Sequence, residues 1–495
     1  MKQQIVSAHL SATTPLPDHK FFLDASPEVR ARRQHRDLDA GGHARSFADV
    51  LQEVLERDKH DRQRKDAPLR VAPGATLKLE LDPAGAFPDA DRGDNVMQAS
   101  LDLRTVKPFK VTVIPVTQQT LVGNLATGRD LASWVERLRR TYPLADLPGS
   151  VEVVAGAPYT TQANLNSGSD GWGQLLTEIE RKRTAEANDR YYYGVVNVSY
   201  AGGLAGLGYI GRPSAIGWDK AGSYPDIFAH EVGHNFGRRH APCGGAAGAD
   251  PSWPADDAHA DGRIGVYGID LGNMSLVTPL THDLMSYCQP PWASDYTYKG
   301  VLAFRAASSQ GLEAGVPPAA RECLLVSGRE RDGKVSLDPA FTVTTRPSPP
   351  QGSEFALELL DGLGGVLRRV PFTPVEVADL DGVQERHFTF ALPLCGGEKT
   401  RATSLRVVRA GSVLAVRRAG FRGLPTPPVA TPAGEGQVRL TWNALQAPDI
   451  MVRDARDGSV LAFASGGMAE LATQARDLVL ELSNGVESHG FKVSW

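Results

Sequence analysis

The 495-residue sequence predicts a multidomain α+β protein, with one mixed domain flanked by smaller β-rich modules. Three observations support this fold class. Strand-like runs alternate with amphipathic helical patterns in the middle of the chain, short β-like runs fill both ends, and Pro- and Gly-rich stretches separate these regions. The length has room for roughly two to four domains. We predict regions at 1–68, 69–106, 107–316, 317–425 and 426–495.

The N-terminal region, residues 1–68, is mixed in charge and contains no cysteine. Apolar residues at helical spacing predict a helix at 47–55 within an otherwise solvated run. We interpret the region as a linker or packed arm, with a propeptide as the alternative. Alternating apolar and polar residues after position 69 predict a small N-terminal β module that ends near 106.

The mixed domain, residues 107–316, is predicted to contain a twisted sheet with helices between its strands. The expected strands and helices follow in chain order: a strand at 110–116, a helix at 129–142, a strand at 151–154, a helix at 173–187, a strand at 191–200 and a last helix at 295–307. Beyond this domain, residues 317–425 and 426–495 are predicted to form β-sandwich-like modules.

Residues 230–240 read H-E-x-x-H-x-x-G-x-x-H. On a helix, His230 and His234 share one face and can bind one metal ion. Gly237 permits the turn that brings His240 to the same metal. Three imidazoles with a fourth position open for water suit a single Zn²⁺, with Glu231 beside the open position as a base. The alternative is a surface helix that happens to be rich in histidine.

The motif resembles that of the metzincin clan of zinc peptidases, which carries a methionine-containing turn below the metal. Residues 281–288 supply a candidate turn, with Met285 as the Met-turn residue and Tyr287 two positions further on. The resemblance covers roughly residues 105–310 and is closest to pappalysin-like or secreted bacterial mucin-cleaving metzincins. It implies a metzincin-like catalytic domain with a zinc helix and a Met-turn.

The resemblance also implies roles for individual residues. Glu231 would be the general base, and Tyr287 would stabilise the oxyanion of a tetrahedral intermediate. The alternative for Tyr287 is a packed aromatic beneath the site. Residues Leu207, Gly208 and Tyr209 would form the rim of the substrate cleft, where an extended chain pairs with free backbone groups. The alternative for this segment is a flexible glycine-rich loop.

The chain has four cysteines. In a metzincin, Cys243 and Cys288 would both lie near the floor of the zinc site, so the resemblance implies a disulfide between them. Cys323 and Cys395 then remain as a second pair. The alternative is four reduced, buried thiols in a cytosolic protein.

Charge and hydropathy narrow the classes of partner. A net charge of −4 and a pI near 6.3 give no electrostatic reason to expect nucleic acid or an anionic membrane. No stretch approaches the ~20 apolar residues of a transmembrane helix, and residues 1–23 lack the apolar core of a signal peptide. The acidic stretch within 243–279 is interpreted as a solvated loop rather than a calcium site.

Together these observations predict a secreted zinc metalloendopeptidase that hydrolyses peptide bonds in extracellular protein or glycoprotein substrates. Export of a bacterial type is expected, with the signal absent from this chain. The alternative is a glycan- or protein-binding multidomain protein with a structural or inactive zinc site. Either way, the predicted cofactor is one Zn²⁺ per chain.

Overall fold

The chain divides into two compact units, Met1–Thr105 and Val106–Trp495, in a structure rich in β-sheet with few helices. The structure is a computed structural model. It describes residues 7–11, 31, 34–35, 38, 45–62, 76–80, 85–86, 88, 91–100, 104–118, 128–145, 147–166, 169–198, 203–309, 318–380, 382–395 and 397–495.

Among its described residues, the first unit contains a three-stranded antiparallel sheet, the helix at 47–62 and a 3₁₀ turn. Its central strand β2 pairs with a strand from the extreme N-terminal region, β1, so the predicted arm contributes to the sheet expected after position 69. The elements are β1 Ser7–Ser11, α1 Phe47–Arg62, β2 Thr76–Glu80, the 3₁₀ turn Arg92–Asn95 and β3 Val96–Ser100.

The first part of the second unit alternates strands and helices, as the apolar periodicity predicts. The helix expected at 129–142 is two short helices, because Val135 leaves the helical conformation between them. The elements are β4 Phe109–Gln118, α2 Leu131–Trp134, α3 Glu136–Thr141, β5 Val151–Ala155, β6 Tyr159–Thr161, α4 Ser169–Glu186, β7 Tyr191–Val196, β8 Gly206–Gly208, β9 Ser214–Trp218, α5 Tyr224–Asn235, the 3₁₀ turn Ala260–Gly262, β10 Gly268–Asp270, β11 Ser275–Val277, β12 His282–Asp283, β13 Pro291–Trp292 and α6 Asp295–Ser309.

The second part of this unit is almost entirely strands. They are β14 Arg321–Arg331, β15 Lys334–Leu337, β16 Phe341–Thr345, β17 Phe355–Leu360, β18 Val366–Phe372, β19 Val375–Glu376, β20 Glu385–Pro393, β21 Ser404–Arg409, β22 Ser412–Arg418, β23 Val429–Gly434, β24 Gln437–Thr441, β25 Asp449–Asp454, β26 Val460–Ser465, β27 Met468–Ala472, β28 Asp477–Ser483 and β29 Ser488–Ser494, with a helical turn α7 Glu398–Arg401.

A sandwich of two antiparallel sheets forms the region around residues 321–418. One sheet has the order β15-β14-β20-β19 with β16 on β14, and the other has the order β18-β17-β21-β22. Residues from both sheets, such as Val326, Phe390 and Leu357, share one buried core. The two-residue strand β19 matters for the site, because the chain that leaves it runs toward α5.

A ten-stranded sheet joins the central and C-terminal parts of the second unit. Its order is β29-β28-β25-β26-β6-β4-β7-β9-β8, with β5 paired to β4. The strands β6, β4, β7 and β9 are parallel, and β8 is an antiparallel edge strand beside α5. The junction is the parallel pairing of β26 with β6 at Ala462 and Thr160. Four strands of the predicted C-terminal module, β25, β26, β28 and β29, therefore extend the central sheet, while β23, β24 and β27 form a separate three-stranded sheet.

A buried lysine strengthens this junction. The Nζ of Lys182, on α4, donates to the carbonyl of Val460 at 2.7 Å and to Oε1 of Glu186 at 2.7 Å. The same Glu186 oxygen accepts from the backbone N–H of Val460 at 2.6 Å. Lys182 is 1% exposed, so its charge depends on these two partners.

Candidate metal centre

Helix α5 places two histidines one turn apart on the same face. The Nε2 atoms of His230 and His234 lie 3.2 Å apart. The helix ends at Asn235 and is capped by Phe236, and Gly237 follows with φ +79°, a left-handed conformation that suits glycine. The chain then turns back and brings the His240 ring to within 5.2 Å of the His230 ring and 4.7 Å of the His234 ring, measured between centroids. The structure thus brings all three predicted ligands together.

A backbone carbonyl faces the Nδ1 atom of each of these histidines. Nδ1 of His230 lies 2.8 Å from the carbonyl of Leu284, and Nδ1 of His234 lies 2.7 Å from that of Arg238. Nδ1 of His240 faces the carbonyl of Ala247. A carbonyl only accepts, so each Nδ1 donates and each neutral ring presents a bare Nε2 lone pair. Metal-binding histidines are commonly oriented in this way.

Asp379 is a fourth member of the cluster, and the sequence reasoning missed it. Its carboxylate lies 2.9 Å from Nε2 of His240, 3.0 Å from that of His234 and 3.4 Å from that of His230. The side chain is only 8% exposed. Asp379 follows β19 in the sandwich, 139 positions after His240, so no local spacing could have pointed to it.

The ionisable groups in and beside the cluster have pKa values shifted in different directions. Burial lowers the pKa of His234 to about 4, so its ring is neutral near pH 7. Burial alone would raise the pKa of Asp379, but His234 and His230 outweigh it and hold that pKa well below the usual range. Burial, reinforced by the charge of Asp379, raises the pKa of Glu231 well above its usual value. The site therefore contains an ionised Asp379 carboxylate beside a neutral His234 ring.

Glu231 lies beside the cluster at the edge of a cleft of about 720 Å³. His230, Tyr287 and Asp379 also line this cleft. Among the described residues, Oε2 of Glu231 has no hydrogen-bond partner although it is buried. The carboxyl group packs under β8, where a Cβ added to Gly206 would collide with it.

Met285 and Tyr287 follow Leu284, the carbonyl partner of His230, in the turn after β12. Met285 is fully buried, and its Sδ accepts a hydrogen bond from the Tyr142 hydroxyl at 3.2 Å. The Tyr287 hydroxyl donates to Oδ1 of Asp379 at 2.7 Å, and 39% of the residue is exposed. Tyr287 is therefore not a packed core aromatic, since its hydroxyl orients the fourth member of the cluster.

A disulfide joins the segment after His240 to the turn that carries Met285. Cys243 and Cys288 are bonded, with Cα atoms 5.8 Å apart. The backbone reinforces the link, since the N–H of Tyr287 donates to the Cys243 carbonyl at 3.2 Å. The second predicted pair is wrong, because Cys323 is a buried thiol and Cys395 an exposed one. Cys323 lies within β14, where its neighbour across the ladder is Pro393, two positions before Cys395.

The predicted substrate rim lies on and just after β8, but its outer edge is not free. The backbone N–H of Ala378 donates to the carbonyl of Gly208 at 3.0 Å, and Tyr209 forms an antiparallel bridge with Val377. Leu207 is fully buried, and the Tyr209 hydroxyl reaches Nδ1 of His387 at 2.7 Å. The open edge expected at Leu207, Gly208 and Tyr209 is thus paired with the chain's own segment after β19.

The acidic insertion after Cys243 is bonded within the protein. Asp250 accepts from the Tyr296 hydroxyl at 3.0 Å and from Arg238 at 3.3 Å. His259 lies between Asp256, at 2.8 Å, and Asp295 of α6, at 3.0 Å. These contacts attach the insertion to the elements around the histidines.

The donor set fits a zinc ion. Three imidazole nitrogens and one carboxylate oxygen lie within 4.8 Å of one another, and two of the bare imidazole nitrogens are close enough to repel unless a cation lies between them. When bound at such a site, zinc supplies positive charge that holds the ligands together and acidifies coordinated water.

The comparisons with known proteins concern a different part of the chain. The family model that matches is that of cytidylate kinase, over residues 11–81. A cytidylate kinase of Thermodesulfovibrio yellowstonii is 46% identical over 77 residues, which is 15% of this chain and 35% of that protein. One from Cereibacter sphaeroides is 46% identical over 74 residues (14% and 36%), and one from Aquifex aeolicus is 38% identical over 78 residues (15% and 35%).

The chain spans about a third of the length of these curated relatives, and the matched segment does not include the histidine cluster. A two-domain fibronectin type III segment from chicken tenascin matches with a TM-score of 0.14 and 10% identity, over 35% of this chain and all of that one. This TM-score is too low to assign a shared fold. No helix among the described residues is both long and apolar enough to cross a membrane.

These matches overturn the functional assignment drawn from the sequence. The resemblance to the metzincin clan, the secreted zinc endopeptidase function and the classification as a protease are contradicted, because the matching family and its curated relatives are kinases. The error came from residues 1–68. The mixed charge of this region predicts a linker, a packed arm or a propeptide. The likeness to cytidylate kinases rests instead on sequence identity along some seventy residues, and not on the spacing of a few residues.

Proposed function

We propose that His230, His234, His240 and Asp379 bind one zinc ion that cross-links the two parts of the second unit. The observation that carries this proposal is the convergence of three imidazoles and a carboxylate, with ligand atoms within 4.8 Å of one another. The carbonyl partner of each Nδ1 supports it, because a ring oriented in this way needs no rearrangement to bind a metal.

Four protein ligands make a closed set of the kind found in structural zinc sites. The ion would join the region after α5 to a loop of the sandwich, across the 139 positions that separate His240 from Asp379. Because the complete ligand set forms only when these distant segments come together, zinc binds the native state and stabilises it.

The test is zinc content after reconstitution and dialysis, for the wild-type chain, His234→Gln and a matched control, His489→Gln. His489 lies in β29, outside the cluster. We expect about one zinc per chain for the wild type and the control, and almost none for His234→Gln. Zinc retained by His234→Gln, or absent from the wild type, would reject the site.

Phosphoryl transfer to cytidylate is a second candidate function, favoured by the match of residues 11–81 to cytidylate kinase. The identity of 38–46% over that segment is the observation behind it. Arginine side chains commonly bind the phosphates in such reactions, and Arg30, Arg32 and Arg33 lie close together in the matched segment.

The assay is formation of CDP from CMP and ATP by the full chain, with His234→Gln and the triple Arg30→Ala, Arg32→Ala, Arg33→Ala variant. A kinase carried by the first unit keeps its rate in His234→Gln and loses it in the triple variant. No CDP from the wild type, or equal rates in all three proteins, would count against this function. The zinc measurement is independent of either result.

A further inference from the structure

The position of the Asp379 carboxylate is defined by groups from three different parts of the second unit. The three histidines come from α5 and the turn after it, the Tyr287 hydroxyl comes from the turn after β12, and the carboxylate comes from the sandwich. We propose that this position is a carboxylate-binding subsite of the metal centre, filled and masked by the chain's own Asp379. The inference rests on the proposed zinc site.

The backbone presents Asp379 to the histidines as an extended chain followed by a bend. We call residues 376–380 the strap. Its backbone pairs with the edge of β8, through Ile210 N–H to the Glu376 carbonyl at 3.2 Å and Ala378 N–H to the Gly208 carbonyl at 3.0 Å. Asp379 follows with φ +65°, a conformation that few residues other than glycine adopt. The strap therefore fixes the backbone position from which the carboxylate of Asp379 reaches the histidines.

The surroundings of the carboxylate are those of a ligand in a cleft. Asp379 lines the 720 Å³ cleft with Glu231 and Tyr287, and it also lines a second cavity of about 810 Å³ with His234 and His240. Asp379 therefore lies where the two spaces meet. A free carboxylate in its place would meet the same metal position and the same Tyr287 hydroxyl.

The chemistry of the subsite favours a carboxylate or a similar oxyanion over a neutral ligand. The subsite offers a hydroxyl that donates a hydrogen bond and the proposed metal cation. An ionised oxygen binds both more strongly than a neutral oxygen does. The size of the ligand is the remaining constraint, and the cleft of about 720 Å³ accommodates a small carboxylate such as benzoate.

The test uses cobalt-substituted full-length protein, because the visible spectrum of Co²⁺ reports changes in its ligands. Wild type, Asp379→Ala and Asp379→Ala with Tyr287→Phe are titrated with benzoate, after cobalt content is measured. We expect no spectral response from the wild type, saturable binding by Asp379→Ala, and at least about tenfold weaker binding by the double variant, since a hydrogen bond to a charged group is lost.

The outcomes are separable from those of the zinc proposal. If no protein takes up cobalt, the metal centre itself fails. If both wild type and Asp379→Ala hold cobalt and respond equally to benzoate, Asp379 is not a mask. If Asp379→Ala holds cobalt and does not respond, the subsite does not take carboxylates. Asp379→Gly, which empties the position and suits the backbone φ of +65° there, replaces Asp379→Ala if the alanine variant fails to fold, and the same outcomes apply to it.

Discussion

The two sides of the metal centre are built in opposite ways. On the histidine side, one helix and the turn after it supply all three imidazoles, and nearby backbone carbonyls orient them. On the carboxylate side, Asp379 arrives at the end of a strap that depends on a complete sandwich and on pairing with β8. The comparison teaches that the spacing of residues close in sequence specifies the three histidine ligands. The fourth ligand, Asp379, reaches the site only when segments far apart in the chain pack together.

The strongest test of this contrast is removal of one histidine. Replacing His234 by Gln should weaken zinc binding on the order of a thousandfold, because a zinc site of this kind distributes 10–16 kcal/mol over about four ligands. Competition with a chelator of known affinity measures the change. His489→Gln is the control, and a loss of similar size in that variant would show that the effect is not local.

Removal of the disulfide tests how the turn is held next to the histidines. Cys243→Ser with Cys288→Ser should lower the free energy of unfolding by about 4 kcal/mol, because the bond closes a loop with a sequence separation of 45. Urea denaturation of metal-free protein gives this value. Cys395→Ser is the control, since that thiol is exposed and unpaired with another cysteine. An equal loss in the control would contradict the structural role of the bond.

Replacing Asp379 by Ala measures the other side of the centre directly. We expect zinc affinity to fall by about 10- to 100-fold, less than for His234→Gln, because the three imidazoles remain and water takes the vacated ligand position. The same chelator competition applies. Equal losses for Asp379→Ala and His234→Gln would remove the distinction between the two sides.

A methyl group placed between α5 and the turn below it tests their packing. A Cβ at Gly233 would collide with Met285 Sδ and the Tyr142 hydroxyl, both buried. Gly233→Ala should therefore destabilise the protein by about 1–3 kcal/mol, despite the better helix propensity of alanine. Gly128→Ala is the matched control, with no atom near its Cβ. The melting temperatures of both variants are measured by thermal unfolding. Equal melting temperatures would contradict the tight packing at Gly233.

The smallest effect is expected at His259, far from the ligand atoms. Burial lowers its pKa, but the carboxylates of Asp256 and Asp295 outweigh burial and raise it overall. A raised folded-state pKa gives stability that is fully present below the unfolded pKa of ~6.5 and is lost as pH rises through the folded value. His259→Gln should lower the melting temperature by roughly 1–2 °C at pH 5.5 and leave it unchanged at pH 9. The reverse pH dependence would contradict this sign.

The sequence could predict the donors on the histidine side because their positions follow from helix geometry. His230 and His234 are four apart, and Gly237 adopts the left-handed conformation that the turn to His240 requires. It could also predict the main strands and helices of the central domain from apolar periodicity, although the break at Val135 has no periodic signal. These features are determined by residues close together in the chain.

The rest depends on contacts that no spacing rule describes. Asp379, the pairing of the strap with β8, and the joining of β26 to β6 all bring distant segments together. The functional assignment is wrong for a different reason. It extends the motif at 230–240 to the function of the whole chain, whereas the family match, to cytidylate kinase, lies at residues 11–81. The predicted export and protein partners stay predictions.

The junction between β26 and β6 has a practical meaning for anyone who shortens this protein. Composition marks position 426 as a convenient place to cut, but truncation there would remove β26 and expose the backbone edge of β6. Exposed strand edges promote aggregation. The cut would also take away the Val460 carbonyl and N–H, which bond Lys182 and Glu186 on α4. The last seventy residues are therefore part of the core of the protein and not an appendage.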